Sequence, residues 1–511
     1  MEIIYRLNNP NYTIYHRAAL GGLAATIYAW KKNPPDGIQA ELEADQVRLA
    51  WRDELSDQEA LRRILAASFK LTKDKMIDLP GHGITEDKYG LRLAIHNGIT
   101  SSFLQHPKMR PTKEKEPRRI EIRSADDEVG ELFTYKTVDS YAHQQAQGTD
   151  LFLDKLKGKL PSFANIPQSL VPGTGGSLKL DTSADDVILL LFLVVGSCIF
   201  LLRPRTYQEK AQACIVIPDV TNLLFFAKAS HRIAQTGLEL KRFSNTYLNR
   251  VVGGAEEAAL RFLIDIQTIE GITNERSIKG CQAIAMGKVA WDGNQMNRSI
   301  CLRLAGEYPE LDIFRAAYTH LGKSKIIKTK KGENLAIPAS PIPELIAANL
   351  ATNRHWAAHF SQLVDDKKKF KNIYFSNLKG ELTAMKDAIK DLDDQVIIRA
   401  FHEAWRLTMH NLYERIDREH LDKDRLFEVE RERVRNAILR TKTTESLASW
   451  FLRFCADASK GRSLATLREE GTRIRHFIFN PRNFDRFQNL CLFALISYSS
   501  ESLKNNTEGE N

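Results

Sequence analysis

Pro338-Ala339-Ser340-Pro341-Ile342-Pro343-Glu344 is the stretch that divides this chain. Proline fixes φ and has no backbone N–H to donate, so Pro338, Pro341 and Pro343 in close succession interrupt any regular element. Downstream, from Glu344 to about Ser500, long charged amphipathic stretches carry few β-branched runs and sparse Gly and Pro, the pattern of a helical bundle. Upstream the periodicity alternates. Glu2 to Leu7 is β-rich, Tyr15 to Trp30 is helical, and Val47, Leu49 and Trp51 alternate within Gln46 to Trp51. Ser56 and Glu59 form a capping box that opens a helix to about Phe69. The expected fold class is α+β: a mixed α/β N-terminal body over residues 1–340, then an all-α C-terminal helical bundle over residues 341–511.

Within the body, Pro172-Gly173-Thr174-Gly175-Gly176 punctuates the chain ahead of the uncharged apolar run Val187 to Leu202. That run falls short of the ~18 to 20 residues a membrane span needs, so it reads as a buried strand or helix. Cys214 to Pro218 reads as a further buried strand, and Pro107 to Arg119, rich in proline and charge, as a mobile surface loop before strands at Ile120 to Arg123 and Glu131 to Lys136. The β-patterned runs Cys281 to Trp291 and Ser299 to Leu304 flank Asp292-Gly293-Asn294-Gln295, a strong short-range hairpin signal. A short basic loop follows with Lys323, Lys325, Lys328, Lys330 and Lys331, and the prolines then mark a linker.

A chain of 511 residues predicts about two to four domains. Its 43% hydrophobic and 27% charged residues fit a globular protein and exclude global disorder. The net charge of +9 and pI near 9.0 favour polyanionic partners, nucleic acid first. Cys198, Cys214, Cys281, Cys301, Cys455 and Cys491 form no Cys-x-x-Cys pair, so they read as core thiols in a reducing cytoplasm. The start, Met1-Glu2-Ile3-Ile4-Tyr5-Arg6, lacks the pattern of a secretory signal, and the expected location is cytoplasmic with no membrane partner.

The catalytic inventory is poor. Leu321-Gly322-Lys323-Ser324 looks like the end of a P-loop, but Ala317 stands where the motif needs its first glycine. His355 and His359 have ligand spacing on an expected helix, yet Trp356, Ala357 and Ala358 lie between them and the Glu of the zinc-protease motif is missing, so a structural pair is favoured over a metal site. No His-Asp dipeptide or Gly-x-Ser-x-Gly elbow occurs. The expectation is a non-enzyme with no catalytic residue, cofactor or metal.

Residues suited to nucleic acid are more plentiful. Asn97, Gln105, His106, Lys108 and Arg110, with Lys113 in the adjoining loop, combine amides that bond base edges with cations that hold phosphates. Asn294, Gln295, Asn297 and Arg298 put the same chemistry at the hairpin tip, a shape able to enter a groove or wedge between base pairs. The five lysines from Lys323 to Lys331 suit a phosphate clamp, and Arg431, Arg435, Arg473 and Arg475 mark the helical region, where acidic neighbours make solvated helix faces the plainer reading.

Several stretches together resemble one family, the large subunits of type I-B and Myxococcus-type CRISPR systems. They are Tyr15-His16-Arg17-Ala18-Ala19-Leu20-Gly21-Gly22-Leu23, Phe103-Leu104-Gln105-His106-Pro107 and Leu170-Val171-Pro172-Gly173. In order there follow Ile215-Val216-Ile217-Pro218-Asp219, Val252-Gly253-Gly254-Ala255-Glu256-Glu257-Ala258-Ala259-Leu260-Arg261-Phe262, and Gly287-Lys288-Val289-Ala290-Trp291 leading to Gln295-Met296-Asn297-Arg298. The resemblance implies a non-catalytic subunit at the foot of the Cascade surveillance complex, which checks a protospacer-adjacent motif in duplex DNA, starts strand separation and holds displaced DNA. Implied partners are guide RNA, target double-stranded DNA, the backbone, foot and small subunits of Cascade, and a recruited helicase-nuclease or, in related complexes, transposition proteins. The helical third then resembles the Cascade small subunit, and a fragment starting near Met385 is expected to fold alone as an internally translated product. Two other classes stay open: a diverged nuclease or ATPase, and a standalone RNA-binding or processing protein.

Overall fold

Small residues decide how the N-terminal unit is assembled. The computed structural model describes residues 2–30, 33–86, 88–103, 112–122, 131–139, 163–165, 181–202, 212–236, 251–252, 254–270, 276–285, 299–303, 310–322, 324–328, 334–338, 340–376, 381–420, 422–460 and 464–498. These gather into two units, residues 1–306 with 326–337, and residues 307–325 with 338–511.

At the centre of the first unit lies the helix Ile14–Trp30, buried from Ala18 through Ile27. Its alanines and glycines let neighbours approach backbone to backbone: a Cβ at Gly22 would overlap the Phe192 carbonyl oxygen, and one at Gly196 the Ala18 carbonyl oxygen. Arg17 anchors the same helix to the strand Gln212–Val220, its Nε 2.5 Å from Asp219 Oδ1, while its Nη1 donates to the Tyr12 carbonyl at 2.8 Å. That strand is the middle of a five-stranded sheet ordered Val251–Val252, Cys198–Leu202, Gln212–Val220, Ile278–Ala285, Ser299–Arg303. Val251–Val252 runs parallel to Cys198–Leu202, and the other neighbours are antiparallel. Cys214, Ile215, Val216 and Ile217 are wholly buried, because the helix Ala255–Glu270 packs on the sheet as well.

A second, antiparallel sheet orders Glu2–Arg6, Gln46–Trp51 and Ile38–Leu42, with Val47, Leu49 and Trp51 turned inward as their alternation demands. Ser56 caps the helix Asp57–Ser68 by accepting from the Glu59 N–H, but the Glu59 carboxylate turns to Arg62 and Arg63, so only half of the expected capping box forms. The apolar run resolves into both options read for it, a helix Ala184–Leu191, a short helix Leu193–Gly196 and the strand Cys198–Leu202.

The basic loop is corrected. Ser324–Lys328 is a strand that pairs with Asn334–Pro338, since the β-branched Ile326-Ile327 outweighs the lysines beside it. The proline segment is correspondingly short: Pro341 caps the helix Ile342–Ala351 and Pro343 sits in its first turn, where a missing N–H is harmless. The helix Leu311–Leu321 precedes the prolines yet belongs to the helical unit, packing on Ile342–Ala351 and Glu381–Asp387 through the buried Leu311, Phe314 and Leu321.

The remainder of the second unit is helical: Lys367–Ser376, the 28-residue Leu392–Glu419, Lys423–Arg440, Thr444–Ala458, Ala465–Glu469, Gly471–Ile478 and Phe484–Ser497. Phe484–Ser497 is the core helix, with Phe487, Leu490, Cys491 and Phe493 wholly buried, Trp356 edge-on to Phe493 at 5.0 Å and Phe451 edge-on to Phe487 at 5.3 Å. The architecture is α+β, a mixed N-terminal region and a helical C-terminal one. No helix among the described residues is long and apolar enough to cross a membrane.

This core holds a pH-sensitive group. His402 Nε2 lies 2.9 Å from the Ala494 carbonyl oxygen, and burial pushes the ring pKa down to about 4, with Lys386 adding to the shift and the carbonyl opposing it. The unfolded ring takes its proton near pH 6.5, so the folded state's advantage is complete above that pH and is lost as pH falls towards 4. The urea midpoint should therefore drop between pH 7 and pH 5, and His402→Gln, which keeps a donor without a titration, should shrink that drop by on the order of 1–2 kcal/mol. An equal drop in both proteins would remove His402 as a source.

Candidate nucleic-acid interface

Two helices of the C-terminal unit form an antiparallel hairpin. Leu392–Glu419 ends at His420, whose left-handed φ of +51° turns the chain, and Asp422 caps Lys423–Arg440 by accepting from the Arg425 N–H at 3.1 Å. A spacing of four keeps residues on one helix face, so Trp405, Met409 and Tyr413 line up on the first helix and Lys423, Phe427 and Arg431 on the second. The stripes enclose a groove of about 590 Å³ that Arg406, His410 and Tyr498 complete.

Its chemistry is aromatic and cationic. Trp405 is the buried floor, and Tyr413 stands 51% exposed at the mouth. Lys423 Nζ lies 4.9 Å from the Tyr413 ring centroid and 5.9 Å from that of Phe427, a cation over two aromatic faces. The Tyr498 hydroxyl is buried with no hydrogen-bond partner among the described residues, and burial raises its pKa while Arg406 opposes the rise. No carboxylate lines the groove among the described residues, and the nearby Glu414 is engaged by His410 at 3.3 Å and Lys460 at 3.7 Å. Ring faces stack on bases and the cations attract phosphates, so the arrangement suits an anionic chain bearing flat groups.

The arginines expected to touch nucleic acid separate in this light. Arg431 lies in the groove wall. Arg435 does not reach a ligand: it is 5% exposed, its guanidinium sits 5.2 Å from the Phe370 ring centroid, and Nη2 bonds the neighbouring Asn436. Arg473 pairs with Asp393 at 3.1 Å and Glu470 at 3.3 Å, a local use of its charge. Arg475 is exposed and has no ion pair among the described residues. None of these three lines the groove.

In the N-terminal unit, Asn97 is used structurally, its Nδ2 donating to the Thr134 carbonyl at 3.2 Å. The Lys113 backbone N–H donates to the Asp139 carboxylate, and the surrounding charges are paired: Lys75 Nζ reaches Glu114 at 2.8 Å and Asp139 at 2.9 Å, and Arg118 Nη2 reaches Glu114 at 2.7 Å. Gln105, His106, Lys108, Arg110, Asn294, Gln295, Asn297, Arg298, Lys323, Lys330 and Lys331 lie outside the described residues. The antiparallel stalk for the tip is present in Ile278–Ala285 and Ser299–Arg303. Lys325 and Lys328 fall on the strand Ser324–Lys328.

Two motif readings are settled by position. Gly322 follows the C-terminal end of Leu311–Leu321, with its N–H turned back to the Tyr318 carbonyl, and that end of a helix repels phosphate. His355 and His359 sit in a turn rather than the expected helix. His355 Nε2 bonds Asp394 at 2.8 Å and His359 Nε2 meets Arg354 at 2.9 Å, with His359 at a left-handed φ of +59°. Among the described residues no group of three or more His, Cys, Asp or Glu is placed to hold a metal ion. Cys198, Cys214, Cys281, Cys455 and Cys491 are buried and in no disulfide, and burial pushes the Cys455 thiol up to about 12.

Sequence reasoning missed the two stripes that build the groove, Trp405, Met409 and Tyr413 on one helix and Lys423 and Phe427 on the other. Their spacing of four was visible, but an apolar stripe at that spacing is also what a core-facing helix shows.

Comparison with known families places both ends of the chain. The DevT N-terminal domain matches residues 4–191 and the DevT C-terminal domain matches residues 385–511. No curated protein matches.

Proposed function

We propose, from the premise that this chain belongs to the DevT family, whose Myxococcus namesake is a developmental protein linked to CRISPR Cascade, that it is the non-catalytic large subunit of an RNA-guided type I surveillance complex. The observation that carries a nucleic-acid role is the groove, in which aromatic faces and cations converge with no carboxylate lining it among the described residues. Family membership directs that role to a guide-RNA complex. In this reading the N-terminal body recognises the protospacer-adjacent motif, the helical unit receives displaced DNA, and cleavage or transposition falls to a recruited partner in the cytoplasm.

The proposed reader is the segment Asn294, Gln295, Asn297 and Arg298, with Gln105, His106, Lys108 and Arg110 as further contacts to the duplex and Lys325 and Lys328 on phosphates. Gln295→Ala or Asn297→Ala should weaken discrimination between motif and non-motif duplexes by roughly 1 to 3 kcal/mol per lost base contact. If both variants discriminate as the parent does, the tip is not the reader.

The function itself is tested by leaving the subunit out. A guide-RNA complex assembled without this chain should hold its RNA and pair with single-stranded target, yet fail to open a duplex target, as permanganate footprinting of the displaced strand would report. Equal opening with and without the chain would overturn the assignment.

A further inference from the structure

We infer that the groove between Leu392–Glu419 and Lys423–Arg440 is a base-capture site for single-stranded nucleic acid, in which a base inserts against Tyr413 and Phe427 while flanking phosphates lie on Arg406 and Lys423. The inference deepens the proposed function and rests on it for the source of the strand, not for the binding chemistry.

A duplex does not fit this arrangement. Duplex recognition asks for cations along a surface and polar groups reaching base edges, whereas the aromatic faces here lie inside a cleft of about 590 Å³ that only an unstacked base can enter. Tyr413 is the entry face. The Lys423 ammonium lies 4.9 Å from the ring of this 51% exposed tyrosine, and a base arriving against Tyr413 and Phe427 exchanges water for two stacking partners while Lys423 is free to turn to its phosphate. Arg406 follows Trp405 on the first helix and Lys423 stands on the second, which sets a cation on each side of the groove beside the aromatics. The buried Tyr498 hydroxyl, unpartnered among the described residues, adds a polar group at the groove's edge. Among the described residues no Asn or Gln lines the cleft to read a base edge as a bidentate amide would, so capture tolerates any sequence.

The test uses the full-length chain and three fluorescent probes of equal length: oligothymidylate, an abasic strand with the same phosphates, and a duplex. Oligothymidylate should bind more tightly than the abasic strand. Tyr413→Ala should weaken oligothymidylate by about tenfold or more while changing the abasic strand and the duplex little, and Tyr413→Phe, which keeps the ring, should stay near the parent. Circular dichroism checks that the exposed substitution leaves the bundle folded. Equal binding of oligothymidylate and the abasic strand, or a Tyr413→Ala protein that binds oligothymidylate as the parent does, overturns the inference. So does Tyr413-dependent binding of polyglutamate in place of oligothymidylate, which would make the occupant an acidic peptide. A chain that passes this test but never joins a guide-RNA complex would refute the proposed function and leave the capture site standing.

Discussion

Gly196→Ala should cost the N-terminal unit about 3 kcal/mol or more, enough to unfold a marginally stable domain. The added Cβ would overlap the Ala18 carbonyl oxygen, and neither side has room to give. Ala18, Ala19 and Leu20 are wholly buried in Ile14–Trp30, and Gly22 on the same helix already admits the Phe192 carbonyl and the Gly196 N–H where a side chain would stand. The two segments thus interlock through their backbones, and a methyl group can be accommodated only by separating them. Gly471→Ala is the control, because a Cβ there meets nothing within 4 Å. Thermal melts should show a large loss for the first variant and little change for the second. A Gly196→Ala protein that melts with the parent would contradict the backbone contact.

Asp394→Ala should cost the helical unit about 3 to 5 kcal/mol. The carboxylate is fully buried, and it accepts from His355 Nε2 at 2.8 Å, Trp356 Nε1 at 2.8 Å and Arg486 Nε at 2.9 Å. Burial alone would raise its pKa, but the bond from His355 and the charges of His355 and Arg486 outweigh that and hold it below the ordinary carboxylate range. Its contribution is complete above the ordinary carboxylate pKa near 3.8 and is lost as pH falls below it. Removing the carboxylate strands His355 Nε2 and Trp356 Nε1 and leaves the Arg486 guanidinium, 23% exposed at its side chain, with Asp391 at 2.7 Å as its remaining ion pair. Urea unfolding near pH 7 measures the loss; a midpoint within experimental error of the parent's would show that the buried pair contributes nothing.

The same network bears on the expectation that a fragment starting near Met385 folds alone. Such a fragment lacks His355 and Trp356, so Asp394 loses two donors and Phe493 loses the Trp356 and Phe360 rings, 5.0 and 5.8 Å away. Met385 itself is buried within Glu381–Asp387. The matched C-terminal domain begins there, but the packed unit includes residues 307–325 and 338–384 as well.

What the sequence disclosed followed from periodicity. Val47, Leu49 and Trp51 announced a half-buried strand because successive side chains leave a sheet on opposite faces, and of the two runs expected to flank a hairpin, Gly280 to Ile284 and Ser299 to Arg303 pair antiparallel. Partnership was not legible in that way. Leu311–Leu321 looks amphipathic from its residues alone, but nothing in them says which core it joins. Counting lysines concealed the strand at Ile326-Ile327, and Arg435 reads as a surface charge until Phe370 is seen beneath it. The groove was hidden for the converse reason, since Tyr413 and Phe427 belong to stripes that also describe a packed helix.

Affinity purification of the tagged chain from its native host tests the central claim most directly. Membership of a surveillance complex predicts co-purification of Cascade backbone subunits together with short RNAs of uniform length that share a repeat-derived end. Recovery of the chain without such subunits, or with RNA of mixed length and origin, would contradict it.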